Sequence, residues 1–240
     1  MIYFYDGSRA GFLTAFLAAF NDNEAIVTSS QRQLTLGQEA VFVQTNAERA
    51  KKAEARLLSF DKYCMQDLNF LLRCSDETRD QTAFEYLRLI ATKKRPVRNM
   101  LAEDAVIMAS NLIGKVKHEA ERFRGFVRFM ESASGALYAP IAPDHDICDL
   151  LVGHFRARIP NFPFVIHDVK RKKATVYDGK NVFCAPLENA EVMLSATEEA
   201  WQALWKNYFE HVNIVERERL KQQRGYLPVR YRKFMPEFHD

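Results

Sequence analysis

The sequence lacks the cysteine patterns of a metalloprotein and the apolar segments of a membrane protein. Its four cysteines, Cys64, Cys74, Cys148 and Cys184, show neither the CxxC spacing of a zinc site nor the close triplet of an iron–sulfur cluster. They are predicted to be free thiols in a reducing compartment. No apolar run approaches the roughly 18 residues of a membrane span, and the amino terminus has no basic region followed by an apolar one. We therefore expect a cytoplasmic protein with no membrane partner.

Established catalytic signatures are missing as well. The chain has no glycine-rich phosphate loop, which argues against a nucleotide-dependent kinase or a Rossmann enzyme, and no GxSxG or HExxH motif. Lysine and arginine exceed aspartate and glutamate by only three, 34 against 31, too few to indicate nucleic-acid binding from net charge. The residues alone therefore name no reaction, and whether the protein is an enzyme stays open.

The composition is that of a globular α+β protein. The 240 residues are 48% hydrophobic, which is enough to bury a sizeable core. We expect a mostly helical subdomain with short amino-terminal strands over residues 1–98. Residues 99–240 are expected to form an antiparallel α+β subdomain with a carboxyl-terminal helix and an irregular arm. The two parts together are predicted to be one compact unit.

Periodicity predicts the individual elements. In the first half, strands are expected at residues 2–5 and 40–44, a helix at 8–20, and helices throughout 47–91. The helix over residues 99–123 has the cleanest apolar stripe, and a period of two follows it. The second half reads as a ββαβββ unit, with strands at 126–130, 136–140, 162–168, 174–178 and 181–185 and its helix at 146–158. A last helix begins after Thr197 and carries Trp201 and Trp205.

Polar residues are concentrated between His118 and Asp168, a segment that holds four of the six histidines. Glu119 lies on the apolar side of its predicted helix, where a carboxylate is costly unless it is paired or protonated. It therefore either pairs with a buried arginine, for which Arg128 is the candidate, or acts as a functional acid. The two readings stay open at this point.

The PDHD segment supplies further candidates. Asp144 and Asp146 precede a helix, where aspartates commonly cap backbone N–H groups, whereas His145 between them has no such role. His154 is turned inward on the following helix, and His167 ends a strand. The candidate catalytic residues are Glu119, His145, His154 and His167. If the three histidines converge with Asp144 they would suit a divalent metal, although no cofactor is expected; otherwise they form a polar core.

Basic residues collect in three places, at residues 93–98, 170–173 and 217–233. Such runs are typical of solvated faces, and a phosphate-binding surface is the alternative. If residues 170–173 and the tail form one positive surface, it would bind DNA. The candidate DNA-binding residues are Arg122, Arg158, Lys170, Arg171, Lys172, Lys173, Arg230 and Arg232.

Seven blocks in a fixed order resemble one family. They are DGSxxGFLTA at residues 6–15, HEAERFRGFVRF at 118–129, LYAPIAPDHDI at 137–147, HFxxRxPN at 154–161, FPFVIHD at 162–168, WxxYF at 205–209 and PxRYxKxxPEF at 228–238. Together they resemble the bacterial DNA repair or DNA metabolism proteins built on the domain DUF4130. The chain departs from that pattern at Arg9-Ala10, where an aromatic–acidic pair is expected, and at residues 216–227, where an ERxNP-like turn is expected.

The resemblance implies a role in DNA repair or DNA metabolism beside a companion radical-SAM protein, and related domains are fused to a uracil-DNA glycosylase domain. The expected function is to bind or present damaged DNA with that companion. One alternative is a metal-dependent hydrolase or nuclease that uses the His/Asp cluster. Another is an interaction domain with a structural polar core. Nothing in the sequence indicates an oligomeric state.

Overall fold

The computed structural model describes residues 1–30, 39–212 and 219–238. The chain forms two compact units, Met1–Lys117 and His118–Asp240. The division falls between residues 117 and 118, inside the long helix α5 (Asp104–Phe126).

The first unit contains a small parallel sheet and several helices. Strand β1 (Ile2–Phe4) lies in the centre and pairs in parallel with β2 (Ile26–Thr28) and β3 (Ala40–Phe42). Helix α1 (Arg9–Ala19) leads from β1 to β2, a strand of three residues that the sequence pattern did not indicate. The predicted helical stretch is confirmed and consists of α2 (Ala47–Leu58), α3 (Cys64–Arg73) and α4 (Arg79–Lys93).

Helix α1 begins with a tight polar turn after β1. Ser8 caps the helix by accepting a hydrogen bond from the Gly11 N–H at 2.9 Å. The Asp6 carboxylate accepts from the Ser8 N–H at 2.9 Å and from the Thr45 hydroxyl at 2.7 Å. Because Gly11 has no side chain, this carboxylate lies directly against the helix. A Cβ at Gly11 would come within 2.9 Å of both Asp6 Cγ and Thr45 Oγ1.

We predict that Gly11→Ala lowers the free energy of unfolding by about 1–3 kcal/mol, because the added methyl must displace the Asp6 carboxylate. The matched control is Gly114→Ala in α5, where an added Cβ meets nothing within 4 Å. That change should raise stability by up to about 1 kcal/mol, since alanine is the better helix former. Urea unfolding curves measure both, and equal effects of the two substitutions would contradict the close contact at Gly11.

The second unit is built on a five-stranded sheet in the order β4-β5-β6-β7-β8. Its elements in chain order are β4 (Met130–Glu131), β5 (Leu137–Ile141), α6 (Cys148–Arg158), β6 (Phe164–Asp168), β7 (Lys173–Tyr177) and β8 (Val182–Pro186). The α+β class and the ββαβββ order are therefore confirmed. Of the four strand pairings, β5 with β6 is parallel, whereas the sequence predicted antiparallel pairing throughout. The physical reason is that α6 forms a crossover, which returns the chain to the end of the sheet where β5 began.

The end of the chain packs beside this sheet. Helix α5 continues to Phe126, so β4 is shorter than the strand predicted at residues 126–130. Helix α7 (Glu198–Val212) and α8 (Leu220–Tyr226) follow the sheet. The chain then forms two 3-10 turns, Val229–Phe234 and Pro236–Phe238, and we call residues 228–238 the arm. Part of the predicted basic tail, at residues 217–218, lies outside the described residues.

All four cysteines are free thiols, as predicted. Cys184 is exposed and the other three are buried. Burial raises the pKa of Cys64 to about 12 and that of Cys148 to about 11, so both are protonated and unreactive at neutral pH. Among the described residues, none of the helices combines the length and the apolar composition that crossing a bilayer requires.

Candidate functional site

Glu119 is the centre of the polar cluster predicted from the sequence. It is 5% exposed, and its carboxylate accepts three hydrogen bonds. Oε1 accepts from the Asp144 N–H at 2.8 Å and from the Tyr231 hydroxyl at 2.5 Å, and Oε2 accepts from the His145 N–H at 2.7 Å. Burial and the neighbouring Glu119 carboxylate raise the pKa of Tyr231, so its hydroxyl remains a donor at neutral pH. The carboxylate is therefore fully engaged in holding the loop ahead of α6 and the arm.

The predicted ion pair between Glu119 and Arg128 is wrong. Arg128 instead donates to Glu237 Oε1, from Nε at 3.1 Å and from Nη2 at 2.6 Å. The prediction placed Arg128 on a strand, but α5 continues to Phe126 and Arg128 follows its end, where Nη1 also donates to the Gly125 carbonyl at 2.8 Å. Periodicity assigned the wrong element and therefore the wrong partner.

The loop ahead of α6 is held by further ion pairs. Asp144 Oδ2 lies 2.7 Å from Arg230 Nη2, and Asp144 Oδ1 lies 4.0 Å from Lys170 Nζ. Arg171 pairs with the buried Asp168 at 2.9 Å and also donates to the carbonyls of Pro143 and Asp144. Lys173 pairs with Asp146. The carboxylates of Asp144 and Asp146 thus form ion pairs with basic side chains, in addition to preceding a helix.

His167 is satisfied inside the second unit. Its Nε2 lies 3.0 Å from the Leu187 carbonyl, and its Nδ1 lies 2.7 Å from the Tyr138 hydroxyl. A carbonyl can only accept, so Nε2 carries a proton and donates it to Leu187. Both ring nitrogens therefore have hydrogen-bond partners, which is the arrangement of a structural histidine.

The three candidate histidines do not converge. Helix α6, which carries His154, packs on the sheet face of Phe164 and Ile166: the Phe155 and Phe164 ring centroids are 6.4 Å apart, and Cys148 Sγ donates to the Ile166 carbonyl at 3.0 Å. His167 alternates with these strand residues and points to the other face. Within the predicted set, Glu119 binds Asp144 and His145, and it does so through the backbone N–H groups of these two loop residues.

The predicted metal ligands do not come together at one point either. Among the residues that the structure describes, no three His, Cys, Asp or Glu side chains are placed to hold one ion. His154 contacts Phe155 edge-on at 4.9 Å, and its Nε2 is buried with no hydrogen-bond partner in the described part of the chain. The side chains of His145, His154, His167 and Asp144 are therefore not placed to hold one metal ion together.

The candidate DNA-binding residues fall into two groups. Arg171, Lys173 and Arg230 have carboxylate partners, and the Arg232 guanidinium lies 4.4 Å from the Phe238 ring centroid. The second group is exposed and consists of Arg122, Arg158, Lys170 and Lys172. Lys170 and Lys172 make only long ion pairs, at 4.0 and 3.9 Å. Charge is available for phosphates mainly in this second group.

The structure contains an open groove that sequence reasoning missed. It lies between β4, α7 and the arm, has a volume of about 730 Å³, and we call it the aromatic groove. The aromatic side chains that line it are Phe129, Phe162, Trp201, Trp205 and Phe234. Trp201 is 61% exposed and Phe162 is 51% exposed, so their faces are accessible to a ligand. The available signal was the spacing of Trp201 and Trp205, one helical turn apart on one face of α7.

Trp205 is held in a defined orientation within this groove. Its indole N–H donates to Glu237 Oε2 at 3.1 Å, and the Arg128 guanidinium lies 5.4 Å from its ring centroid. The Glu237 side chain is only 1% exposed, because Arg128 and Trp205 together cover its carboxylate. Arg128, Glu237 and Trp205 therefore form one unit that joins the arm to α7.

The buried acid of the groove wall is also satisfied internally. Glu198 accepts from the Glu131 N–H at 2.8 Å and from the Gln202 side-chain amide at 2.9 Å. A ligand in the groove would therefore meet mainly aromatic and aliphatic side chains, with Arg128 and Lys233 as the lining cations. This composition suits a flat, weakly charged group.

We predict that Glu119→Ala lowers the free energy of unfolding by roughly 2–5 kcal/mol, because each buried donor left without a partner costs about 1–3 kcal/mol. Glu121→Ala is the control on the same helix, since the Glu121 side chain is 69% exposed and pairs only with Arg124. Its effect should stay within about 0.5 kcal/mol. Chemical denaturation compares the two, and a Glu119 variant as stable as the control would show that the cluster does not stabilise the fold.

The fold and the site define an α+β protein with an internally paired polar cluster and an open aromatic groove. The family model of DUF4130, a domain of unknown function, matches residues 77–237, which is two thirds of the chain. The chain therefore belongs to the DUF4130 family, as its motifs predicted. The matched part includes the polar cluster and the residues that line the groove. No curated protein and no solved structure matches the chain.

Proposed function

We propose that this protein is a binding protein of DNA metabolism, which holds an unpaired or damaged nucleotide of DNA in the aromatic groove and presents it to a companion radical-SAM protein. The observation that carries the proposal is the groove itself, with the accessible faces of Trp201 and Phe162 beside the oriented ring of Trp205. The expectation of a DNA role comes from the family resemblance, and the groove offers a surface on which a base would stack.

Stacking is the physical basis of this proposal. Each base that stacks on an aromatic side chain contributes about 1–3 kcal/mol, and every base has the required flat face. The groove volume of about 730 Å³ is adequate for a base with part of its sugar. Damaged, mismatched and single-stranded bases leave the stack at the lowest cost, so a groove of this kind favours them over paired bases.

Phosphate contacts would come from the basic residues near the groove. Arg158 is exposed and directly precedes Ile159, which lines the groove, and Lys233 is itself a lining residue. Such contacts position a strand on the protein without reading its sequence. The expected binding therefore combines stacking in the groove with a small number of phosphate contacts.

A separate companion for the redox chemistry is consistent with the cysteines. Cys64, Cys74 and Cys148 are buried, and burial raises the pKa of each of these thiols. A radical-SAM cluster needs three accessible thiolates close together, which this distribution does not offer. In the proposal, the companion carries the cluster and this chain binds the DNA.

A second candidate function is that of a protein interaction domain. Helix α7 exposes Leu204, Tyr208 and Val212 on the face that also carries the two tryptophans. Exposed apolar side chains at helical spacing are typical of protein-binding surfaces. This candidate predicts that changes at Leu204 and Tyr208 weaken binding of a companion protein, whereas DNA binding depends on the groove.

Substitution of the groove tryptophans tests the main proposal. We expect Trp201→Ala and Trp205→Ala each to weaken binding of a labelled single-stranded oligonucleotide by about 5-fold to 150-fold, the equivalent of one lost stacking contact. The controls are Leu204→Ala and Val212→Ala, which remove side chains that are 58% and 53% exposed on the same helix but do not line the groove. Fluorescence anisotropy with intact, uracil-containing and abasic strands measures the affinities.

The wild-type protein should bind single strands and abasic duplexes more tightly than an intact duplex. If it binds none of these oligonucleotides, or if the control variants lose as much affinity as the tryptophan variants, DNA binding in the groove is excluded.

Salt dependence tests the phosphate contacts separately. We expect Arg158→Gln to flatten the plot of log K against log salt by about 0.7 for each single-strand phosphate contact that is lost. Lys51→Gln is the control, because Lys51 is 77% exposed in the first unit. The double variant Lys170→Ala/Lys172→Ala examines the predicted basic surface at residues 170–173 and preserves the ion pairs of Arg171 and Lys173. A slope unchanged by both variants would leave these residues as solvated charges.

A further inference from the structure

The arm is fastened to the second unit at two separate points. At the first, Tyr231 is 7% exposed, its hydroxyl donates to Glu119 at 2.5 Å, and its ring packs edge-on against Phe123 at 4.8 Å. At the second, Glu237 binds Arg128 and the indole N–H of Trp205. The first anchor joins the arm to Glu119, 112 residues earlier in the chain. The second joins it to Arg128, 109 residues earlier, and to α7.

The wall of the aromatic groove lies between these anchors. Lys233, Phe234 and Pro236 line the groove, and all three fall in the short segment from Tyr231 to Glu237. With only five residues between the anchors, the chain has little freedom to place this wall elsewhere once both ends are held. The position of the wall therefore depends on the first anchor as well as on the second.

Arg230 strengthens the first anchor. Its guanidinium lies 2.7 Å from Asp144 Oδ2 and 4.7 Å from the Tyr231 ring centroid, and it donates to the Tyr231 hydroxyl at 3.2 Å. Glu119 in turn holds the backbone N–H of Asp144. Two carboxylates of the polar cluster therefore bind consecutive residues of the arm. Glu119 accepts from Tyr231, and Asp144 pairs with Arg230.

We infer that Glu119, Asp144 and Tyr231 are positioning residues for the aromatic groove. The polar cluster fixes the position of the arm and, through the arm, the position of the groove wall. The assignment of a nucleotide to the groove rests on the proposed function, whereas the effect of the polar cluster on the groove does not. The cluster that looks like an active site in the sequence acts on the ligand only through the arm.

Tyr231→Phe tests this inference, because it retains the packed ring and removes only the hydroxyl that reaches Glu119. Trp201 and Trp205 are the only tryptophans in the chain and both line the groove, so tryptophan fluorescence reports on the groove alone. We expect the variant to show a red-shifted emission and a larger acrylamide quenching constant. Oligonucleotide affinity should fall about tenfold, as for the loss of one hydrogen bond to a charged group.

The matched control is Tyr86→Phe in the first unit. Tyr86 is 2% exposed and its hydroxyl donates to the buried Asp67 at 2.9 Å, so both variants lose one buried phenol–carboxylate hydrogen bond. Both should unfold at lower urea concentration than the wild type. Only Tyr231→Phe should change tryptophan fluorescence and affinity, which separates positioning from general destabilisation.

If Tyr231→Phe does not fold, Arg230→Gln tests the inference in its place, since the Arg230 side chain is 58% exposed and its loss leaves the core intact. It should shift emission and quenching in the same direction. Tryptophan spectra identical to those of the wild type and of Tyr86→Phe would overturn the inference. The fluorescence needs no ligand, so a wild-type protein that binds no oligonucleotide would defeat the proposed function and still leave this test decisive.

Discussion

The second unit depends on one buried carboxylate. Moving a carboxylate out of water costs several kcal/mol unless hydrogen bonds replace its hydration. Glu119 obtains three donors, two from the loop ahead of α6 and one from Tyr231 in the arm, 112 residues further along the chain. Because the donors come from separate segments, the carboxylate can be satisfied only when α5, the loop and the arm are in place together. Its burial cost thereby favours one arrangement of these three elements.

Internal pairing is the common feature of several polar residues in the histidine-rich segment. His167 uses both ring nitrogens, and Asp168 and Arg171 are paired with each other. Buried polar groups in native proteins are almost always hydrogen-bonded, so a cluster of them in a sequence is as typical of a structural network as of catalysis. The aromatic groove has the opposite character, with side chains of high stacking capacity left open to solvent.

The arm connects these two regions of the molecule. One of its ends reaches the polar cluster through Tyr231, and the other reaches α7 through Glu237. The DUF4130 match extends to residue 237 and includes both anchors and the residues that line the groove between them. Residues 1–76, with the parallel sheet β2-β1-β3, lie outside that match.

The sequence by itself determined the features that depend on local periodicity. The apolar stripe of α5 placed Glu119 on the buried side, alternation identified β5 to β8, and the tail from Gly225 to Asp240 was predicted to be an arm. Tertiary structure alone decided the partners: Tyr231 and not Arg128 for Glu119, the parallel pairing of β5 with β6, and an exposed face for Trp201. Periodicity tells which face of an element is apolar, but not what covers that face. The pairing of Arg128 with Glu237 spans 109 residues, and no local pattern carries information over that distance.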